Sequence, residues 1–460
     1  MRGLLRECVA ASPLELADMW GLVVRYGVGG LCAREDTASL SVLLESLLTE
    51  LPAAQASSGA AIKRLKCFGH CLIEMLSRGC CRWAACEAFQ AAVLRELPEM
   101  EGHLTSHVRR EVARCMVILS TRSMGGTART DAAVAELRRR LVENLRSGVA
   151  YISANFGAPG NGQAAVRAPE DGEIDLATES GDTAMGEAAG AVDAVLARLD
   201  CSVQFVGYCM RSGDAVQLTG TLLSSLPHLL KLQELSDPEL QQLSMDALLK
   251  YLPVRLDFVA PAVGTIERTQ GFEPWHARAA ALVFLQYFWF RQVFLLGELE
   301  AQKVLSTVVS LLGDSKTEVR ELAAKSLSGI LRCIPHSAST ELRASFMGHA
   351  ESLRHERRSR GSRPSLRQPE AIAARHAPVL GLEAFVLSSP YDVPQWLPDV
   401  LMCIASMANE PPPLKTTVTR ALSEFKRTHE EAGLHECREL FTEEQWDAIQ
   451  DVSSCSSYFA

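Results

Sequence analysis

Apolar residues recur at helical spacing along much of the chain, most plainly between residues 301 and 332. The first stripe there consists of Val304, Leu305, Val308, Val309, Leu311 and Leu312, and the second of Val319, Leu322, Ala323, Leu327, Ile330 and Leu331. Gly313 and Asp314 separate the stripes, so the pattern predicts two amphipathic helices joined by a short turn. Ser315 and Glu318 have capping-box spacing, which predicts that their side chains cap the second helix.

A helix, an Asp-containing turn and a second helix form the usual order of a HEAT repeat, whose period is about 40 to 47 residues. Comparable helix starts occur at residues 108–109 and 236–239, and three prolines at 411–413 separate two further helices. We find no convincing run of strand-type alternation. The sequence therefore predicts an all-α fold, built as an α-solenoid of HEAT-like helical repeats.

Two stretches differ in composition from the helical repeats. Residues 154–190 are rich in Gly, Ala and acidic residues and have too few bulky side chains to bury a face, which predicts a disordered insert. Residues 352–369 carry six arginines among Ser, Gly and Pro, which predicts a solvated basic loop, with a nuclear-import signal as the alternative. Helical repeats are predicted for 1–153 and HEAT-like repeats for 191–460.

The charge, the longest apolar segment and the cysteines of the chain indicate which partners and which compartment to expect. Lys and Arg total 46 against 55 Asp and Glu, a net charge of -9, so we expect no direct nucleic-acid partner. The most apolar segment has twelve residues between Arg278 and Arg291, fewer than the roughly 20 that cross a bilayer, so we expect no membrane partner. The 14 cysteines follow no regular framework, which predicts free thiols in a reducing compartment.

No motif assembles a catalytic or metal site, and we predict that the chain is not an enzyme. Cys67, His70 and Cys71 share a helix face, but their spacing matches no standard ligand pair, so core thiols are expected and a zinc enzyme is a remote alternative. His429 and the following Glu begin a metalloprotease pattern, yet Gly433 occupies the position of its second His. No phosphate-binding or nucleophile-elbow motif occurs.

The stretch that begins at residues 274–278 (PWHAR) resembles the proteasome activator complex subunit 4 family, and the resemblance continues to residue 460. Its densest motifs are RHAPVLGL at 375–382, LSSPYDVP at 387–394 and WLP at 396–398. Residues 1–273 are compatible with further helical repeats. Members of that family are several times longer and form a solenoid over the end of the proteasome core particle. The resemblance therefore implies a segment of a non-enzymatic, ATP- and ubiquitin-independent proteasome activator.

The same resemblance assigns core-particle docking to the tail 452–460. The family ends in a hydrophobic residue, a Tyr and a last residue with the free carboxylate, here Tyr458, Phe459 and Ala460. The tail would enter a groove between α subunits of the core particle, where a Lys pairs with the carboxylate. Binding of the tail there would favour opening of the entry gate. Phe459 lacks the expected Tyr hydroxyl, and the loss of its hydrogen bond removes about 0.5 to 1.5 kcal/mol of docking free energy. Serines and a cysteine at 453–457 are predicted to form a flexible lead.

Further properties are expected from the family alone. An acetyl-lysine pocket for acetylated histones would include Ile334 and Pro335, which stand where the family carries Asn and an aromatic residue; neither side chain donates a hydrogen bond, and helix-loop packing is the alternative. The sequence predicts no cofactor; the resemblance implies inositol phosphates as ligands, but no site for them is assigned, and His276 and Arg278 are interpreted as a cationic rim on a buried helix. Nuclear and cytoplasmic roles in histone turnover and the DNA-damage response are implied. The alternative function is a HEAT-repeat adaptor that binds histones or other partners without gating the proteasome.

Overall fold

The computed structural model describes most of the predicted helices. The described residues are 11–34, 36, 38–40, 42–43, 58–77, 97–103, 105–122, 128–156, 182–211, 219–234, 238–250, 256–272, 275–360, 369–430 and 436–454. Every regular element within these ranges is helical, so the all-α prediction is confirmed. The chain divides into two compact units, Met1–Phe258 and Val259–Ala460.

The first unit contains seven α-helices in the described ranges. They are α1 (Ala17–Ala33), α2 (Ser58–Ser77), α3 (Ser106–Arg122), α4 (Ala128–Phe156), α5 (Asp182–Arg211), α6 (Thr219–Lys231) and α7 (Pro238–Lys250). Helices α1, α2, α3, α5 and α7 pack in that order, while α4 packs on α5 and α6. Each helix thus contacts near neighbours in the sequence, as expected for stacked helical repeats.

The second unit has a regular two-layer order. Its helices are α8 (Leu256–Arg268, which begins just before the unit boundary), α9 (Trp275–Gln292), α10 (Glu298–Leu311), α11 (Thr317–Leu331), α12 (His336–Arg360), α13 (Pro369–Ser388), α14 (Leu397–Ala405), α15 (Leu414–Glu430) and α16 (Glu443–Ser454). Helices α9, α11, α13 and α15 pack side by side in one layer, and α10, α12, α14 and α16 pack onto it. This arrangement agrees with the predicted α-solenoid.

Helix α13 lies at the centre of the second unit, in contact with α11, α12, α14 and α15. Val379, Leu380, Leu382 and Ala384 are fully buried, so the helix is apolar on more than one face. By length and composition, residues Glu370–Ser388 could also cross a membrane, but 67% of that window is buried inside the structure. We interpret α13 as the core helix of this unit.

The turn between α10 and α11 differs from the predicted capping box. Helix α11 begins at Thr317 with Lys316 as its N-cap residue, one position later than a cap at Ser315 requires. The Asp314 carboxylate instead accepts the backbone N–H of Lys316 at 2.8 Å and the Ser315 hydroxyl at 3.4 Å. An ionised carboxylate is the stronger acceptor, so it organises this turn. The predicted helix pair is correct, but the predicted cap is wrong.

Helix α12 continues into the predicted basic loop. Residues 352–360 are helical, and 361–368 lie outside the described residues. The sequence explains the later end, since Gly361 and Pro364 are the first helix breakers and Arg and Glu favour helix. The insert predicted at 154–190 stays a prediction: 154–156 end α4, 182–190 begin α5, and 157–181 lie outside the described residues.

Candidate functional site

The three residues predicted to dock, Tyr458, Phe459 and Ala460, lie outside the described residues. Helix α16 ends at Ser454, so Ser453 and Ser454 belong to its last turn and not to the predicted flexible lead. No Gly or Pro lies between Glu443 and Ser454 that would end the helix earlier. The described structure therefore shows the base from which the tail starts.

A reciprocal capping box fixes the first turn of α16. The backbone N–H of Thr442 donates to Gln445 Oε1 at 3.0 Å, and the backbone N–H of Gln445 donates to Thr442 Oγ1 at 3.2 Å. This satisfies two donors at the helix start that have no partner within the helix. The other end of the Gln445 amide, Nε2, donates to Asp399 Oδ1 on α14 at 3.0 Å. One side chain thus both caps α16 and ties it to a neighbouring helix.

Aromatic packing holds the inner face of α16. Trp446 and Ile449 are buried, and the Trp446 ring meets Phe441 edge-on with ring centroids 5.7 Å apart. Phe441 in turn lies 6.2 Å from Phe425 on α15. The Arg438 guanidinium lies 5.3 Å from the Trp446 centroid, a cation–π distance. Because ring pairs of this geometry add to area burial, α16 is firmly seated on α14 and α15.

Buried ion pairs connect successive repeats of the second unit. Arg278 on α9 donates from Nε and a terminal nitrogen to the two Asp314 carboxylate oxygens, at 2.6 and 2.8 Å. Burial raises the pKa of Asp314, but hydrogen bonds from Arg278 and the Lys316 N–H outweigh it, and the pKa is lowered overall. Arg278 is therefore not part of a cationic rim, as the sequence suggested, but half of a buried pair; His276 is exposed.

The next link in the same layer is a chain of hydrogen bonds through His376 on α13. Arg320 Nε on α11 donates to His376 Nδ1 at 3.2 Å, and His376 Nε2 lies 2.8 Å from Thr417 Oγ1 on α15. Burial, and then the charges of Arg320 and Arg420, lower the pKa of His376 to about 3. The imidazole is therefore neutral, and because Nδ1 accepts from Arg320, the ring proton is on Nε2 and is donated to Thr417.

Two more pairs join α13 to the end of the unit. Arg420 donates to both carboxylate oxygens of Glu383 at 2.7 and 2.9 Å and also to Glu321 at 3.1 Å. Arg375 donates to Glu410 at 3.3 Å. The partners in Arg278–Asp314, Arg375–Glu410 and Glu383–Arg420 are 36, 35 and 37 residues apart, close to one helix pair. These contacts join repeats and form no open site.

The residues of the suggested acetyl-lysine pocket lie in the turn between α11 and α12. Ile334 is partly exposed and Pro335 is exposed. The carbonyl of Pro335 accepts the Ser339 N–H at 3.1 Å, and Arg332 in the same turn donates to the Leu387 carbonyl at 2.9 Å. These are ordinary turn contacts, and acetyl-lysine binding stays a prediction from the resemblance.

The thiols near His70 are core side chains. Cys67 and Cys71 on α2 and Cys115 on α3 are buried, and burial raises the pKa of Cys67 to about 11 and that of Cys115 to about 12. Protonated, buried thiols are unreactive and pack as small apolar groups. Among the described residues, no group of three or more His, Cys, Asp or Glu side chains could hold a metal ion.

Sequence reasoning missed the features that shape this region. The Thr442–Gln445 capping box has a spacing that is visible in the sequence. The partners of Arg278 and Arg420 were not predictable, because an Arg on one helix faces several acidic residues whose approach depends on how the helices pack. The sequence indicated only that the two partners of such a pair lie about one repeat apart.

Comparisons with known proteins agree with the resemblance. Residues 372–460 match a family model described as "Proteasome activator complex subunit 4-like, C-terminal". Proteasome activator subunit 4 of Arabidopsis thaliana is 36% identical over 258 residues, which is 56% of this chain and 14% of that protein. Proteasome activator complex subunit 4 of Homo sapiens is 36% identical over 199 residues, or 42% of this chain and 11% of that protein.

A more distant relative is proteasome activator BLM10 of Saccharomyces cerevisiae, 28% identical over 215 residues, or 46% of this chain and 10% of that protein. The resemblance predicted from the sequence is confirmed, and the Arabidopsis alignment is longer than the stretch 274–460 on which it was first noted. The chain spans about a seventh or less of the relatives' length. A crystal structure of an engineered protein has a TM-score of 0.32 and 10% identity, with 98% of each chain covered, and supports no assignment.

Proposed function

We propose that this chain, similar over about half its length to proteasome activator subunit 4 proteins, is a proteasome activator segment that binds the proteasome core particle and does not itself catalyse hydrolysis. The observation that carries the proposal is the match of residues 372–460 to the family's carboxy-terminal model, which includes the tail. The partner surface is the α-subunit ring, and the result of binding is gate opening for ATP- and ubiquitin-independent degradation. Nuclear and cytoplasmic localisation is part of the same proposal.

Tyr458, Phe459 and Ala460 are the residues that dock. The Ala460 carboxylate pairs with a Lys of the ring, and the Phe459 ring fills the apolar part of the groove. Seated on α14 and α15, helix α16 supplies a firm base for this tail. Helix α16 ends at Ser454, so the proposed tail starts directly after it.

Deletion of residues 458–460 tests the proposal. The full chain is expected to co-sediment with proteasome core particles and to accelerate hydrolysis of a fluorogenic peptide, and the deletion removes both effects. Phe459→Tyr is the matched control, because it adds one hydroxyl and is expected to tighten binding by up to about tenfold. Equal binding by the full chain and the deletion variant contradicts tail docking. Binding to histones without any binding to core particles favours the adaptor function.

A further inference from the structure

The Gln445 side chain makes two contacts, one that caps its own helix and one with a neighbouring helix. Its Oε1 caps the first turn of α16, and its Nε2 donates to Asp399 on α14. Glutamate would serve equally well as the cap, since both Gln and Glu occur at this capping-box position. Only an amide, however, can also donate to the Asp399 carboxylate. The contact to α14 is therefore separable from the cap by a conservative substitution.

The position of α16 determines where the tail can reach. Six residues follow Ser454, and a fully extended chain of that length spans at most about 20 Å. A tail that starts from a fixed base samples a smaller volume than a tail whose base also moves, so its end is directed to fewer positions. Holding the base also reduces the ordering that binding requires.

We propose that Gln445 and Trp446 are positioning residues for tail docking: they fix the start of the tail relative to α14 and α15 so that its end meets the groove. The inference rests on the proposed function, since it takes the core particle as the partner. Trp446 anchors α16 through its edge-on contact with Phe441, and Gln445 sets the orientation of the helix through Asp399.

The first test measures binding of the full chain to proteasome core particles. Gln445→Glu keeps the cap but places a second carboxylate against Asp399, and we expect about threefold to fivefold weaker binding. Adding Asp399→Asn restores a donor–acceptor pair and is expected to restore binding. Glu444→Gln, an exposed change in the same turn, is the control and leaves binding unchanged. Trp446→Ala is expected to weaken binding at least about tenfold.

A free peptide of residues 453–460 separates the two proposals. We expect it to bind the core particle more weakly than the full chain does, because its first residues are not held in a helix before binding. A Gly-Ser insertion after Ser454 should weaken the full chain but add nothing in the Trp446→Ala background, a pattern that loss of stability alone does not produce. Peptide binding together with unchanged binding by Gln445→Glu and Trp446→Ala overturns the positioning role and leaves docking intact. Absence of binding by both peptide and chain overturns both proposals.

Discussion

His376 is the residue on which three helices of the second unit meet. Its two ring nitrogens join Arg320 on α11 to Thr417 on α15, and its side chain is fully buried. The charged groups that lower its pKa, Arg320 and Arg420, are both cations, and nearby cations disfavour a protonated imidazole. The histidine therefore acts as a neutral hydrogen-bonding bridge, and the unit depends on its staying neutral.

This buried histidine predicts a loss of stability in mild acid. The unfolded chain binds a proton at His376 near pH 6.5, whereas the folded chain binds it only near pH 3. The contribution of His376 to the free energy of unfolding is therefore fully present above pH 6.5 and is lost as the pH falls below that value. Between pH 7 and pH 5 the wild type should lose about 2 kcal/mol more than His376→Gln, which keeps an acceptor and a donor but does not titrate. Urea unfolding at the two pH values measures this difference. Parallel pH profiles for the two proteins contradict the assignment.

At the scale of the element, the apolar pattern predicted those helices that bury one face against a neighbour. Helices α10 and α11 each bury one face, so their stripes appear at a period of 3.6. The end of α12 was missed because a charged, arginine-rich segment can continue a helix without any apolar signal. Docking by residues 458–460 is proposed from the family motifs alone, since a terminal tripeptide has no periodicity that could predict a structure.

Helix α9 and the turn after it expose an aromatic face that packing does not require. Tyr287, Phe290 and Phe294 are 46%, 48% and 97% exposed, whereas Phe284 and Phe288 on the same segment are buried. A fully exposed ring contributes nothing to the core, while a buried one contributes area and leaves a cavity when it is removed. The same chemical change should therefore cost much less stability at Phe294, in the turn, than at Phe284, in the helix.

A matched pair of Phe→Ala substitutions tests this difference. Phe294→Ala is expected to change the free energy of unfolding by no more than about 0.5 kcal/mol, whereas Phe284→Ala should cost about 3 to 5 kcal/mol. Thermal unfolding followed by circular dichroism compares the two variants with the wild type. A large loss with Phe294→Ala would show that the exposed ring is covered in the folded protein in solution.

At the scale of the whole molecule, stability is assembled from contacts between neighbouring repeats. Three ion pairs of the second unit, Arg278–Asp314, Arg375–Glu410 and Glu383–Arg420, join residues about one helix pair apart, and helices contact near neighbours in the sequence. In such arrays stability is close to a sum of repeat terms and nearest-neighbour interfaces. Damage to one interface should then remain local.

Asp314→Asn provides the test, because it removes the charge opposite buried Arg278 with little change in shape. Breaking a buried pair by removing one partner costs about 3 kcal/mol, which corresponds to roughly hundredfold faster exchange of amides that open with the interface. Hydrogen-exchange mass spectrometry should show this acceleration in α9 and α11 and little change in α16. Trp446→Ala is the reciprocal control and should affect α15 and α16 but not α9. Equal acceleration throughout the second unit in both variants would mean that it opens as one cooperative body, so that a disturbance at its first repeat also reaches the base of the tail.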